Sequence, residues 1–253
     1  MTDSISAGYI SLVSKGINSM AKKQYFAIVD VETTINNTVA DFAMVVCDRN
    51  GIIVDQFAVL VKDNFDTMDL FYIASNREGD IWSKKYAADK KEKYINMLNS
   101  GTRSMSSVAA INIYIGRIIG QYNPIMTAYN ISFDEGKCAN TNIDLTGFAD
   151  RFCLWAAAVG NICKSKGFRQ FALDNHRFNK PTDKGNMTFQ TNAEVVSGYL
   201  AGSMSHEPHT ALEDIVYFEL PILKTIINKR GWKEKLKSYS WNDFQVRDWF
   251  VAK

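Results

Sequence analysis

Residues 25–34 read "YFAIVDVETT". Tyr25, Phe26, Ala27, Ile28 and Val29 form an apolar, strand-like run, and the stretch then ends on Asp30 and Glu32 with only Val31 between them. Successive strand residues point to opposite faces, so the two carboxylates point to the same one. Like charges that close disfavour joint ionisation unless positive charge lies between them. A buried strand carrying two acids at its carboxyl end therefore predicts a sheet whose edge holds a charged site.

The flanking sequence extends the sheet. Two β-rich runs follow, "TVADFAMVVCD" (residues 38–48) and "GIIVDQFAVLV" (residues 51–61), joined at Arg49-Asn50-Gly51. Asn-Gly is a strong hairpin signal, so the fold is expected to open with a three-stranded antiparallel meander. The sequence predicts an irregular segment over Asp63–Asp80 and helices over Lys84–Leu98 and Ser104–Ile119. "IMTAYN" (125–130) reads as a short strand, and "SFDEGKCA" (132–139) as the start of a helix capped by Ser132. "RFCLWAAAV" (151–159) reads as a strand running into a helix, and Phe168–Gln190 as a polar loop with a small hairpin. "NAEVVSGYLAG" (192–202) and His209–Asn228 read as helices. Pro221 lies inside the last of these and removes a backbone donor, which predicts a kink or break near Glu219. Alternating strands and helices without repeats or a low-complexity linker indicate one α/β domain.

Composition excludes some classes. No run approaches the roughly 18 apolar residues of a membrane span. The first 24 residues lack a signal-peptide pattern, and Ile10, Val13, Ile17 and Met20 recur at helical spacing, which predicts an amphipathic N-terminal helix. The four cysteines, Cys47, Cys138, Cys153 and Cys163, form no Cys-x-x-Cys pair and match free thiols in a reducing cytosol, so a cytoplasmic location is expected. A net charge of +2 gives no sign of a broad nucleic-acid-binding face.

Three segments carry chemistry: "DVETT" (30–34); "AYNISFDEG" (128–136), with Asn130 and Asp134 four apart; and "HTALEDI" (209–215), with His209 ahead of a helix and Asp214 inside it. Each acid alone has a plain structural explanation, as a turn cap, a helix first-turn residue or a surface charge. Together, four carboxylates at strand ends and helix starts can converge on one sheet edge. Such a cluster repels itself without cations, and all-oxygen ligation suits Mg²⁺, with Mn²⁺ as the alternative, rather than zinc.

The three segments resemble the three motifs of the DEDDh 3′→5′ exonucleases, a family with a ribonuclease H-like fold that includes proofreading exonucleases and ribonuclease T. "DVETT" resembles D-x-E-T/S-T/S, "NISFD" resembles N-x-x-F-D, and "HTALED" resembles H-x-A-x-x-D, over roughly residues 25–227. The resemblance implies a mixed five-stranded sheet flanked by helices, in an exonuclease domain over residues 24–230. An N-terminal extension (1–23) and an aromatic-rich C-terminal extension (231–253), carrying Trp232, Trp241 and Trp249, would flank it. It implies two divalent cations: Asp30 bridging both, Glu32 and Asp214 on the ion that activates water, Asp134 reaching the second. It makes His209 the general base, and it places Thr33, Thr34, Ile35 and Asn130 at the terminal nucleotide. Ile35 stands where the family tends to have glycine. Phe133 is expected beneath Asp134 in the core, and His206 and His176 as solvated loop residues. Lys164, Lys166, Arg169, Arg177 and Lys180 are expected as a solvated face, with a rim for a nucleic-acid backbone as the alternative. The implied partner is a nucleic acid with a free 3′ end, single-stranded DNA or RNA with DNA favoured; near-neutral charge points to short or single strands, since tracking a long backbone usually needs a basic groove. The extensions would serve a homodimer, a polymerase or another protein partner.

Two rival readings differ in class. A haloacid dehalogenase-like phosphatase would use Asp30 as nucleophile, but Glu32 is longer than the aspartate of its D-x-D-x-T motif, and a meander is not a doubly wound sheet. A nuclease-like scaffold without catalysis would be expected to have lost ligands, whereas all five signature residues are present.

Overall fold

A computed structural model of the chain describes residues 23–67 and 81–246. Strand β1 (Tyr25–Thr33) is followed by β2 (Val39–Asp48) and β3 (Ile53–Val61), then helices α1 (Lys62–Thr67) and α2 (Ile81–Asn99). Next come β4 (Ser104–Ser106), α3 (Val108–Tyr122), β5 (Ile125–Ala128), α4 (Ile131–Asn140) and β6 (Arg151–Cys153). Helix α5 (Leu154–Ala158) continues through a π turn (Val159–Cys163), and α6 (Lys166–Asp174) and α7 (Ala193–Ala201) follow. Helix α8 (Ala211–Asp214), a second π turn (Ile215–Glu219) and α9 (Leu220–Ile227) run on without a break, ahead of a 3₁₀ turn (Trp232–Lys235) and α10 (Trp241–Phe244).

The sheet has six strands in the order β4-β3-β2-β1-β5-β6. β2 runs antiparallel to β1 and β3, while β3 with β4, β1 with β5, and β5 with β6 are parallel. The predicted meander is present, and its turn follows the Asn-Gly signal. Gly51 takes φ +75° and its N–H donates to the Asp48 carbonyl, while Asp48 Oδ1 accepts from the N–H groups of Asn50 and Ile52.

Side-chain alternation splits the core. Phe26 and Ile28 of β1, with Ala43 and Val45 of β2, pack against Leu154, Val195, Ile222 and Ile226. Ala27, Val29 and Val31, with Phe42 and Met44, pack against Ile111, Ile115 and Ile118 of α3 and Cys138 of α4. Helices thus cover both faces, and β1, apolar on both, is a central strand. The last described residues join the first of these cores. Trp232 and Phe244 are buried there, and the backbone of Phe244 and Val246 bonds to that of Phe189 and Met187. Gly160 is required by a close approach: a Cβ there would lie 1.5 Å from the Lys235 carbonyl oxygen.

Several expectations need correction. The sheet has six strands rather than five, because Ser104–Ser106, expected as the start of a helix, pairs with β3. Three residues are too few to show alternation, and Ser107, whose side chain accepts from the Ala110 N–H, caps the helix after them. Lys62–Thr67 is helical rather than irregular. Ser132 is not a cap; it lies inside α4, behind Asn130. Lys166–Asp174 is a helix, so the predicted loop is limited to the residues after it, where Phe178 and Phe189 form the small hairpin bridge. The kink or break expected near Glu219 takes the form of a π turn that ends there, and the helix runs on past Pro221 without a break. Within it the bonding shifts to i→i+5, the Leu220 N–H donating to Ile215 O just ahead of the proline that has no N–H to give. The expected N-terminal helix and Trp249 lie outside the described residues. No helix among the described residues is long and apolar enough to cross a membrane.

Candidate active site

Asp30 and Glu32 share the parity of Phe26 and Ile28, so they continue that face of β1 toward the helix that carries Asp214. β5 is the parallel neighbour of β1, and α4 starts three residues after it, which places Asp134 beside the end of β1. Crevices outside the carboxyl ends of parallel strands are where open α/β sheets bind ligands. Here that crevice is a cavity of about 290 Å³ lined by Asp30, Glu32, Asp134, His209 and Asp214, together with Glu207 and Glu219. All five signature residues converge on it. Ligand atoms of Glu32, His209 and Asp214 lie within 4.8 Å of one another, close enough to hold one metal ion.

Local structure explains the convergence. The backbone N–H of Val31 donates to the Asp134 carboxylate, tying α4 to β1. His209 adopts φ +52°, and its N–H donates to Asp214, so the bend and the first turn of α8 hold each other. The start of α8 is fixed from below: Asp41 Oδ2, buried in β2, accepts from the Ala211 N–H at 3.0 Å and from the Tyr94 hydroxyl at 2.9 Å. Arg103, also fully buried, spans Asp41 Oδ1 (3.4 Å) and Glu213 Oε2 (2.5 Å). This Asp41–Arg103–Glu213 network anchors the third motif to the sheet. It was not foreseen from the sequence, because a lone Asp in a strand and a lone Arg in a loop carry no local pattern.

Glu219 is the other unforeseen member. It is 4 % exposed, lines the cavity, and exerts the largest single charge effect on Asp30. In an α-helix, residues five apart diverge around the axis; the i→i+5 bonding of the π turn brings Glu219 back to the face of Asp214. Pro221 two positions on was the available signal, since it displaces the normal bonding pattern upstream.

Searches against protein-family models and curated proteins find no match to this chain.

The electrostatics are those of a buried acidic cluster only partly compensated by Lys90. Burial, then repulsion from Glu219, Asp134, Glu32 and Asp214, holds the Asp30 carboxyl well above its usual range. Burial pushes Asp214 up to about 8 and Glu32 to about 7, the latter against the pull of Lys90, whose Nζ lies 2.6 Å from Glu32 Oε2. Asp134 Oδ1, Asp214 Oδ1 and Glu219 Oε2 are buried without a hydrogen-bond partner among the described residues. Buried acceptors of this kind are normally satisfied, so three aimed into one cavity fit oxygen-ligated divalent cations. Cation binding must then expel protons. Apparent Mg²⁺ affinity is expected to fall as pH drops from 8 to 6, with proton release measurable by calorimetry in two buffers of different ionisation enthalpy.

Burial, then the Lys90 charge, pushes the His209 imidazole down to about 4. It is therefore neutral at physiological pH, the form that accepts a proton. His209→Ala is expected to lower turnover by about 10²- to 10⁴-fold while cation affinity holds, the signature of a general base. Equal losses in affinity and turnover would make it a ligand instead.

The expected nucleotide contacts divide. Thr33 lines the cavity, whereas Thr34 does not; it is fully buried, and its Oγ1 bonds to Thr38 Oγ1 at 2.7 Å inside the β1–β2 turn. Ile35 is 44 % exposed on that turn, outside the cavity lining, and Asn130 lines an adjacent cavity. Phe133 is not core: it is 41 % exposed at the cavity mouth, with Lys137 Nζ 4.8 Å from its ring centre. The helix phase that buries Asp134 turns its neighbour Phe133 outward. His206 is solvated, 3.1 Å from Glu194. Lys164 pairs with the Asp243 carboxylate, Arg169 donates to the Asp243 carbonyl, and Arg177 lies 3.7 Å from Glu194.

Proposed function

We propose that the protein is a metal-dependent 3′→5′ exonuclease on a ribonuclease H-like scaffold. The observation that carries the reading is the convergence of Asp30, Glu32, Asp134, Asp214 and His209, distant in sequence, on one cavity at the carboxyl end of β1. A sheet in which β2 alone opposes its neighbours supports the scaffold.

Asp30, Glu32, Asp134 and Asp214 would hold two divalent cations, which when bound stabilise the attacking and leaving oxygens of phosphoryl transfer. His209 takes the proton from the attacking water. The neutral imidazole and the desolvated carboxylates keep that proton acceptor and the negative ligands close together without bulk water between them. The Arg103 network and the Val31–Asp134 bond hold the geometry, which matters because misplacement of a catalytic group by an ångström costs about 10²-fold. Bond cleavage releases a nucleoside 5′-monophosphate and leaves a new 3′-hydroxyl.

The test is incubation of end-labelled single-stranded DNA, single-stranded RNA and duplex DNA with Mg²⁺. Stepwise shortening from the 3′ end that stops on addition of EDTA is the expected result. Intact substrates in all three arms would leave the scaffold reading in its place.

A further inference from the structure

Beside the carboxylate cavity lies another, of about 380 Å³, with Tyr129 and Asn192 in the wall between them. No charged residue lines it. Trp155 and Tyr239 form one side, their rings 5.7 Å apart and inclined by 23°. Tyr239 is held from behind by the buried Phe244, with ring centres 4.9 Å apart, and the Trp155 indole N–H donates to Thr191 Oγ1 at 2.9 Å. These rings are thus fixed in place.

The rest of the lining presents amides, three of them anchored at one end. Asn179 Nδ2 donates to Thr188 Oγ1 (2.8 Å), Gln190 Nε2 donates to Phe178 O (2.9 Å), and Asn192 Oδ1 accepts from the Val195 N–H (3.1 Å). The anchoring orients the other amide atoms: oxygens of Asn179 and Gln190, and the nitrogen of Asn192. The Tyr239 hydroxyl is buried with no partner among the described residues. The described lining therefore offers fixed rings, amide donors and acceptors, the Tyr239 hydroxyl, and no charge. It suits neither a phosphate nor a cation. It suits a flat, neutral group with hydrogen-bonding edges, at a volume within the range of small-molecule sites.

Resting on the exonuclease reading, we propose that this cavity is a nucleobase subsite. It takes one base of the 3′-terminal dinucleotide while the scissile phosphate lies at the carboxylates. A base enclosed there has left its stack and its pairing partner, so the enzyme acts on unpaired 3′ ends.

The test compares an oligonucleotide with versions abasic at the last or the penultimate position, on the wild type, Tyr239→Phe and the Asn179→Ala/Gln190→Ala double variant. Both KM and equilibrium binding, by fluorescence anisotropy in EDTA, are measured. One abasic substitution is expected to weaken wild-type KM and binding by about five- to 150-fold, the range of base–aromatic stacking. The double variant should show much less of that difference, and Tyr239→Phe should shift affinity with the fold intact. Equal binding of intact and abasic strands by the wild type, or an undiminished abasic effect in the double variant, overturns the subsite. Binding is read without turnover, so a chain that discriminates against abasic strands yet cleaves nothing defeats the exonuclease reading and not the subsite.

Discussion

Asp30→Asn is expected to reduce Mg²⁺-dependent nucleotide release to background while leaving a folded protein. Asp30 would be one of the four carboxylates that hold the cations, and no neighbouring side chain would replace its charge. The substitution keeps the size and shape of the side chain and removes only the charge. That charge is held against burial and against Glu219, Asp134, Glu32 and Asp214. In EDTA the variant should therefore melt higher than the wild type. The sign follows from linkage: a carboxyl whose folded pKa is raised contributes stability that is full below the unfolded pKa, near 4, and lost as pH rises through the folded value. Asp214 and Glu32, pushed up to about 8 and about 7, place their share of the loss in the wild type between about pH 4 and 8. The melting advantage of Asp30→Asn should widen as pH rises above the unfolded pKa and shrink when Mg²⁺ is added. Melting curves at pH 6 and 9, with and without Mg²⁺, check it; wild-type turnover by the variant would contradict the role of Asp30.

Arg103→Ala is expected to cost about 3–5 kcal/mol of stability, the range for removing one partner of a buried ion pair. Asp41 and Arg103 have no exposed side-chain surface. Deleting the guanidinium leaves Asp41 facing Glu213 across the space it filled. For a chain of this size that loss corresponds to a melting point lower by roughly 6–20 °C. The substitution also loosens the start of α8, because Asp41 holds the Ala211 N–H and Glu213 lies beside Asp214 in sequence. Turnover at a temperature where the variant remains folded should fall as well. Replacement with Met, which restores bulk without charge, should recover little, since Asp41 still lacks a counter-ion. Urea titration separates the outcomes: an unchanged midpoint in Arg103→Ala would show that the network carries no load.

The meander, β5, β6, α7 and the five signature residues were legible because each rests on local pattern: alternation, the Asn-Gly turn, or motif spacing. What escaped was set by contacts distant in sequence. Ser104–Ser106 is a strand only because β3 lies beside it. Glu219 joins the cavity only because a π turn rotates it there, a consequence of Pro221 that reads in sequence as a break. Phe133 was assigned to the core on its apolar character, yet the helix phase that buries Asp134 and Cys138 turns Phe133 outward. Asp41 and Arg103 lie 62 residues apart and meet only in the folded chain.

The central claim is most directly tested by the chemical identity of the first product. A single-stranded oligonucleotide carrying its label in the 3′-terminal nucleotide is mixed with the protein and Mg²⁺, and the earliest products are resolved. The account predicts that the label appears first as nucleoside 5′-monophosphate, that shorter strands follow in single-nucleotide steps, and that EDTA or Asp30→Asn prevents both. Label released on longer fragments, release as a 3′-phosphate, or release that persists in EDTA would contradict it.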